Sequence, residues 1–252
     1  MKKIIRPTCL FVDIGGVLLT NGWDHHARRR AAKAFHMNFA EMDERHRLFF
    51  DTYELGKLTL REYLNRVIFH QKRSFTHAQF WKFMTEQSKP YPQMIELIRR
   101  LKARHKLKIA ALSNEGSELN AYRIGKFKLA GLIDFFISSC YVHLHKPDAD
   151  IFHLALDVAQ TPLKQIVYIE NTALFVQVAE GMGMRSIHHT DYQSTRAQLA
   201  ALGLDICEQD QEAAPVPRSS GAIPQAGAKT DRYRQRTGRR LKRPVASPSN
   251  ES

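Results

Sequence analysis

Apolar positions along the chain alternate between short continuous runs and helical spacings. Five runs rich in apolar and β-branched residues predict strands at 8–13, 107–113, 133–138, 165–170 and 185–189. Between most of them the apolar positions recur every three or four residues. Met94, Leu97, Ile98 and Leu101 mark an amphipathic helix before the second strand. Ile151, Ala155 and Val158 mark one before the fourth, and Phe175, Val178, Ala179 and Met182 one before the fifth. Asp191 stands where it can cap a last helix carrying Leu199 and Leu202. Strand alternating with helix predicts an α/β fold, a doubly wound, Rossmann-like parallel sheet covered on both faces.

Residues 21–88 interrupt this alternation. They contain no convincing strand, but helical patches at 26–35, 41–50, 60–69 and 76–85, both tryptophans (Trp23 and Trp81), and six of the twelve histidines. They predict an inserted domain of about four helices. Lys89-Pro90-Tyr91-Pro92 then stops helix and returns the chain to the sheet. After Leu204 the pattern fades, and half of the ten prolines lie beyond it. The predicted organisation is a core at 1–20 and 89–205, a helical insert at 21–88, and a disordered tail at 206–252 that cannot bury enough apolar surface to offset its ordering entropy.

Composition narrows the setting. Apolar content of 43% over 252 residues suffices for a sizeable core, and no run is long enough to span a bilayer. The start, Met1-Lys2-Lys3-Ile4-Ile5, mimics a signal peptide, but Arg6, Pro7 and Asp13 interrupt it and no small-residue cleavage site follows. Cys9, Cys140 and Cys207 make neither a disulfide framework nor a zinc spacing, which fits a reducing cytoplasm. The formal charge is +13; residues 211–252 carry nine Lys/Arg against three Asp/Glu. The basic stretch at 229–243 could make weak, nonspecific phosphate contacts with nucleic acid, without interleaved aromatics for base stacking. A solvated tail is the plainer reading.

Ligand sites of open parallel sheets lie beyond the carboxyl ends of the strands. The first strand ends on Asp13, followed by Gly15 and Gly16. The second ends on Ser113-Asn114, Lys146-Pro147 follows the third, and the fourth ends on Glu170-Asn171. These groups suit phosphoryl chemistry. A carboxylate can attack phosphorus, and two carboxylates can hold Mg²⁺. A lysine neutralises the transferring group, while a hydroxyl and backbone N–H groups bind its oxygens. Gly15 and Gly16 let the backbone approach an anion.

In this order and at these intervals the four segments resemble the haloacid dehalogenase-like hydrolase superfamily. Asp13-Ile14-Gly15-Gly16-Val17 is similar to its first motif and Leu112-Ser113-Asn114 to its second. Lys146-Pro147 with Ile151-Phe152 matches the third, and Ile169-Glu170-Asn171 running on to Ala179-Glu180-Gly181-Met182-Gly183 the fourth. The insert then looks like the family's cap domain, and the resemblance covers about residues 8–205. It implies a hydrolase in which Asp13 is the nucleophile and, with the Gly15 carbonyl and Glu170, a Mg²⁺ ligand. Lys146 would be catalytic, holding the phosphate of a small phosphorylated metabolite together with Ser113, beside Asn114, Gly16 and Asn171.

Two positions depart from the family pattern. Gly15 stands where its phosphatases usually carry a second Asp as general acid and base, and Glu170-Asn171 replaces a usual pair of aspartates. Positioned acid–base help is worth ~10²–10⁴-fold, so the chain should favour a good leaving group or borrow an acid from the insert. His25 and His26 are the nearest candidates in sequence. The missing Asp also fits the superfamily's metal-independent dehalogenases, which release halide without a proton. A third possibility is a weakened domain that binds a phosphorylated metabolite or a protein.

Overall fold

The computed structural model describes residues 5–206. Strands β1 (Cys9–Val12), β2 (Lys108–Ser113), β3 (Phe135–Ser138), β4 (Ile166–Glu170) and β5 (Arg185–His188) form one sheet in the order β3-β2-β1-β4-β5, all parallel. Every residue of β1 and β4 is buried, which is why both read as unbroken apolar runs. The pleat sends alternate side chains to opposite faces. Leu10, Val12, Ile109, Ala111, Val167 and Ile169 pack on one side with α5 (Pro92–His105) and α10 (Tyr192–Ala201). Phe11, Ala110, Leu112, Ile166 and Tyr168 pack on the other with α8 (Ala149–Ala159) and α9 (Ala173–Gly181). The strand order reverses at β1, so the tips of β1, β2 and β4 open onto the crevice where such sheets bind ligands.

Between β1 and α5 the chain builds four helices, α1 (His25–Ala34), α2 (Phe39–Glu54), α3 (Leu60–Val67) and α4 (His77–Glu86). Each begins at a side-chain cap: Asp24, Asn38, Thr59 and Thr76. The last two form capping boxes with Glu62 and Gln79. Their apolar faces share a separate core that includes Trp23, Ala31, Tyr63, Leu64, Phe80 and Met84.

The structure departs from the sequence expectation in three places that matter. Helix α2 runs four residues past the predicted patch, and the added turn carries Tyr53 and Glu54. A helix absent from the sequence reading, α6 (Ser117–Lys126), follows β2. Its buried positions are Leu119, Asn120 and Arg123, so no apolar stripe announces it. A short helical turn, α7 (Ser139–Val142), follows β3 directly. Among the described residues no helix is long and apolar enough to cross a membrane. The basic stretch at 229–243 and nearly all of the predicted tail lie outside the described residues.

Candidate functional site

Asp13 emerges one residue past β1, its N–H donating to the Ile169 carbonyl at 3.0 Å. It is 7% exposed, and its Oδ1 accepts no hydrogen bond. The Lys146 ammonium lies 3.1 Å from that oxygen and 2.6 Å from Glu170 Oε2. Lys146 also donates to the Leu112 carbonyl at 3.0 Å, so one buried ammonium joins the tips of β1, β2 and β4. Glu170 is wholly buried and further held by the Tyr168 hydroxyl and by the Thr172 N–H at 2.8 Å. Ser113 lines the same cavity, and its hydroxyl favours the charged form of the Asp13 carboxyl.

One ammonium between two buried carboxylates leaves a net negative charge. Burial, reinforced by Glu170, pushes Asp13 up to about 7 despite Lys146 and Ser113. Burial opposes the charge on Glu170 too, but Lys146, Tyr168 and the Thr172 N–H outweigh it and hold this carboxyl below its usual range. Lys146 is raised: burial alone would lower it, and the two carboxylates overcome that.

Asn114 works through Lys146. Its Nδ2 donates to the Lys146 carbonyl and its Oδ1 accepts the Lys146 N–H, both at 2.9 Å. This fixes the backbone from which the ammonium projects and leaves one amide hydrogen for a ligand, where the sequence suggested a direct contact.

Asp13, Gly15, Ser113, Asn114 and Lys146 line a cavity of about 210 Å³. The insert closes it with Trp23, Asp24, Phe50, Tyr53 and Glu54. Gly16 and Asn171 are not among its lining residues and instead line a neighbouring cavity of about 700 Å³ with His188 and His189. Gly16 has φ +82°, and a Cβ there would come within 2.3 Å of Asn171, so only glycine fits. Of the two glycines only Gly15 lines the Asp13 cavity, whereas Gly16 makes room for Asn171. His25 and His26 do not reach the cavity. His25 bonds the Arg29 guanidinium at 2.7 Å and packs edge-on against Phe39.

The terminal amide of Asn171 lies 2.8 Å from the Gly15 carbonyl oxygen and 3.1 Å from Glu170 Oε1. Two acceptors there require either the amide NH₂ or, with the amide oxygen turned inward, a cation. Asp13, the Gly15 carbonyl, Glu170 and Asn171 are an all-oxygen donor set that suits Mg²⁺. No group of three or more His, Cys, Asp or Glu side chains with metal-binding geometry occurs among the described residues, so backbone and amide oxygens are part of that fit.

The space beside Gly15 is not vacant. A Cβ at Gly15 would lie 3.2 Å from Asn21 Oδ1 and 3.7 Å from the Arg123 guanidinium. Arg123, 1% exposed, contacts the Glu115 carboxylate and the Thr20 carbonyl and donates to Ser88 Oγ at 3.1 Å. The missed helix α6 is what brings it there. Cys9 and Cys140 are free and buried, and burial pushes both thiols up to about 12.

Residues 7–183 match the family model of the haloacid dehalogenase-like hydrolases. No curated protein sequence matches the chain. Among solved structures, it is similar to a predicted HAD-like family hydrolase from Porphyromonas gingivalis, at 18% identity and TM-score 0.64 over 79% of this chain and 98% of that one. A HAD family enzyme from Bacteroides thetaiotaomicron, in complex with magnesium, matches at 20% identity and TM-score 0.63 over 74% and 94%. An L-2-haloacid dehalogenase from Xanthobacter autotrophicus, with chloropropionic acid covalently bound, matches at 15% identity and TM-score 0.53 over 83% and 85%.

Proposed function

The chain belongs to the haloacid dehalogenase-like hydrolase family, and on that premise we propose that it is a Mg²⁺-dependent phosphomonoesterase acting through an aspartyl phosphate on Asp13. The observation that carries the reading is Asp13 Oδ1, buried in a polar cavity and ion-paired with the Lys146 ammonium at 3.1 Å. A carboxylate so placed is a nucleophile beside the charge that receives an anionic substrate. Lys146, with Ser113, would hold the phosphoryl oxygens while Asp13 attacks in line. Asn114 keeps the Lys146 backbone in register, and Glu170 keeps the ammonium charged. Asp13, the Gly15 carbonyl, Glu170 and Asn171 would hold Mg²⁺, which supplies Lewis-acid neutralisation of the phosphoryl charge.

In the same reading α1–α4 are the cap that shapes substrate access. A cavity of about 210 Å³ suits a small phosphorylated metabolite better than a large one. Buried, unpaired Cys9 and Cys140 suit a reducing compartment such as the cytoplasm. Any contact with nucleic acid would fall to the basic stretch at 229–243.

A panel of phosphate esters, assayed with Mg²⁺ and with EDTA and with Asp13→Asn as the blank, tests the reading. Phosphate release that needs both Mg²⁺ and Asp13 supports it; release that needs neither overturns it. One observation favours dehalogenation as a second reading: Lys146 already neutralises Glu170 without a metal. Chloride release from 2-halo acids in EDTA would favour it.

A further inference from the structure

The family's usual acid–base position is Gly15, which leaves the leaving group without a proton source from β1. Four carboxyl groups line the Asp13 cavity: Asp13 itself, Asp24, Glu54 and Glu115. Asp24 caps α1, accepting the Ala27 N–H at 2.7 Å. Glu115 is paired with the Arg123 guanidinium. Glu54 alone makes no side-chain hydrogen bond or ion pair among the described residues.

From this geometry we infer that Glu54, at the end of α2, is the general acid and base of the Asp13 site. The inference rests on the phosphomonoesterase reading above.

Three features place and prepare Glu54. Its carbonyl accepts the Ser139 hydroxyl at 2.8 Å, and the Ser139 Oγ in turn accepts the Glu115 N–H at 2.9 Å, so its backbone is tied to the tip of β2. The next two residues are docked as well. The Leu55 carbonyl is 2.7 Å from His143 Nδ1, and a Cβ on Gly56 would come within 2.0 Å of the Cys140 carbonyl oxygen. Finally, Glu54 is the last residue of a 16-residue helix with no basic residue in its last turn. The negative end of the helix dipole disfavours a carboxylate there. The residue is partly exposed, and it lines the same cavity as Asp13. Burial, reinforced by Glu115, Asp51 and Asp13 and opposed by Lys146, pushes it up to about 8, a shift in the direction a proton donor needs.

As the Asp13 oxygen bonds to phosphorus, the bond from phosphorus to the leaving oxygen breaks. The Glu54 proton passes to that oxygen, giving an alcohol and a Glu54 carboxylate. The carboxylate then takes a proton from water as the water oxygen attacks phosphorus. The bond between phosphorus and Asp13 breaks, phosphate leaves, and Glu54 is protonated again.

The test compares wild type, Glu54→Gln and Glu54→Asp on an ester series from p-nitrophenyl phosphate to simple alkyl phosphates, beside a carboxyl-carbon NMR titration of glutamate-labelled protein. Glu54→Gln should slow alkyl esters by ~10²–10⁴-fold and p-nitrophenyl phosphate by a much smaller factor, with Glu54→Asp in between. The titration should show a glutamate midpoint near neutrality or above that is absent from Glu54→Gln. A uniform loss or no loss across the series, or ordinary glutamate midpoints throughout, overturns the role of Glu54 while Asp13-dependent turnover persists. Absence of Asp13-dependent phosphate release in wild type overturns the phosphomonoesterase reading, and this role with it.

Discussion

At the strand tips one ammonium serves two carboxylates, and Asp13 Oδ1 accepts no hydrogen bond. Inside the helical insert two buried polar clusters are matched instead. Asp43 takes Arg28 at 2.9 Å and Arg47 at 2.8 Å. The Tyr63 hydroxyl accepts from Trp23 Nε1 at 2.9 Å and lies 2.8 Å from His46 Nδ1. The groups around Asp43 and Tyr63 thus satisfy one another, while the strand tips keep a group in reserve that a ligand can satisfy. Tyr53 belongs to both regions. It stacks on Tyr63 within the insert, yet its buried hydroxyl has no partner and it lines the Asp13 cavity. Two of the unpaired buried atoms, Asp13 Oδ1 and the Tyr53 hydroxyl, thus belong to residues that line the cavity where substrate would enter.

Removing the nucleophile should have the largest effect. Asp13→Asn is expected to lower turnover by about 10⁴-fold or more. It should also raise stability at pH 8, because a carboxyl pushed up to about 7 binds its proton more tightly folded than unfolded. Such a group loses stability as pH rises from about 4 through 7, and the amide does not. Thermal melts at pH 5 and pH 8 would show the variant's advantage only at the higher pH.

Lys146→Met comes next, because it strands two buried carboxylates. It should destabilise by about 3–5 kcal/mol, measured by urea unfolding at pH 7.5. A loss below 1 kcal/mol would mean that the carboxylates are already protonated and that the contrast between the two regions is overstated.

Acid should act on the insert in the opposite sense. Burial and Arg28 depress His46 to about 3, so it stays neutral when folded. The unfolded chain takes up a proton below about 6.5, and stability is lost as pH falls from there towards 3. Asp43 adds to this: burial would raise it, but Arg28 and Arg47 hold it lower, and its contribution fades on acidification. His46→Gln should flatten the acid limb of the melting profile. An unchanged limb would remove His46 as its source.

The smallest difference lies within a stacked pair. Tyr63→Phe should cost about 1–2 kcal/mol by leaving Trp23 Nε1 and His46 unsatisfied. Tyr53→Phe should change stability by no more than about 0.5 kcal/mol while raising KM, since its hydroxyl has only a ligand to meet. Equal costs would end the distinction between scaffold and site.

Much of the strand-tip region was legible in the sequence because a parallel sheet turns order along the chain into proximity in space. Asp13, Ser113, Lys146 and Glu170 each sit where an apolar run stops, or just after one. The insert was legible as four helices, since its caps and apolar spacings are local signals. What it contributes to the cavity was not. Glu54 lies four residues beyond the recognisable part of α2, and its role depends on docking against Ser139 and Cys140 some 85 residues away in the chain. His25 and His26 attracted attention by sequence proximity to Asp13, whereas the turn into α1 carries them to the outside. Helix α6 carries no apolar stripe because it buries an asparagine and an arginine where a helix usually buries leucine.

That arginine also limits what a carboxylate could do at position 15. Gly15→Asp would set a carboxylate against Asn21 and within reach of the Arg123 guanidinium, which would bind it as a counterion. The side chain would be present without a free acid–base role. Freeing it would mean displacing Arg123, and that breaks the pairing with Glu115. Position 15 is in this sense already spoken for by the wall of its own cavity.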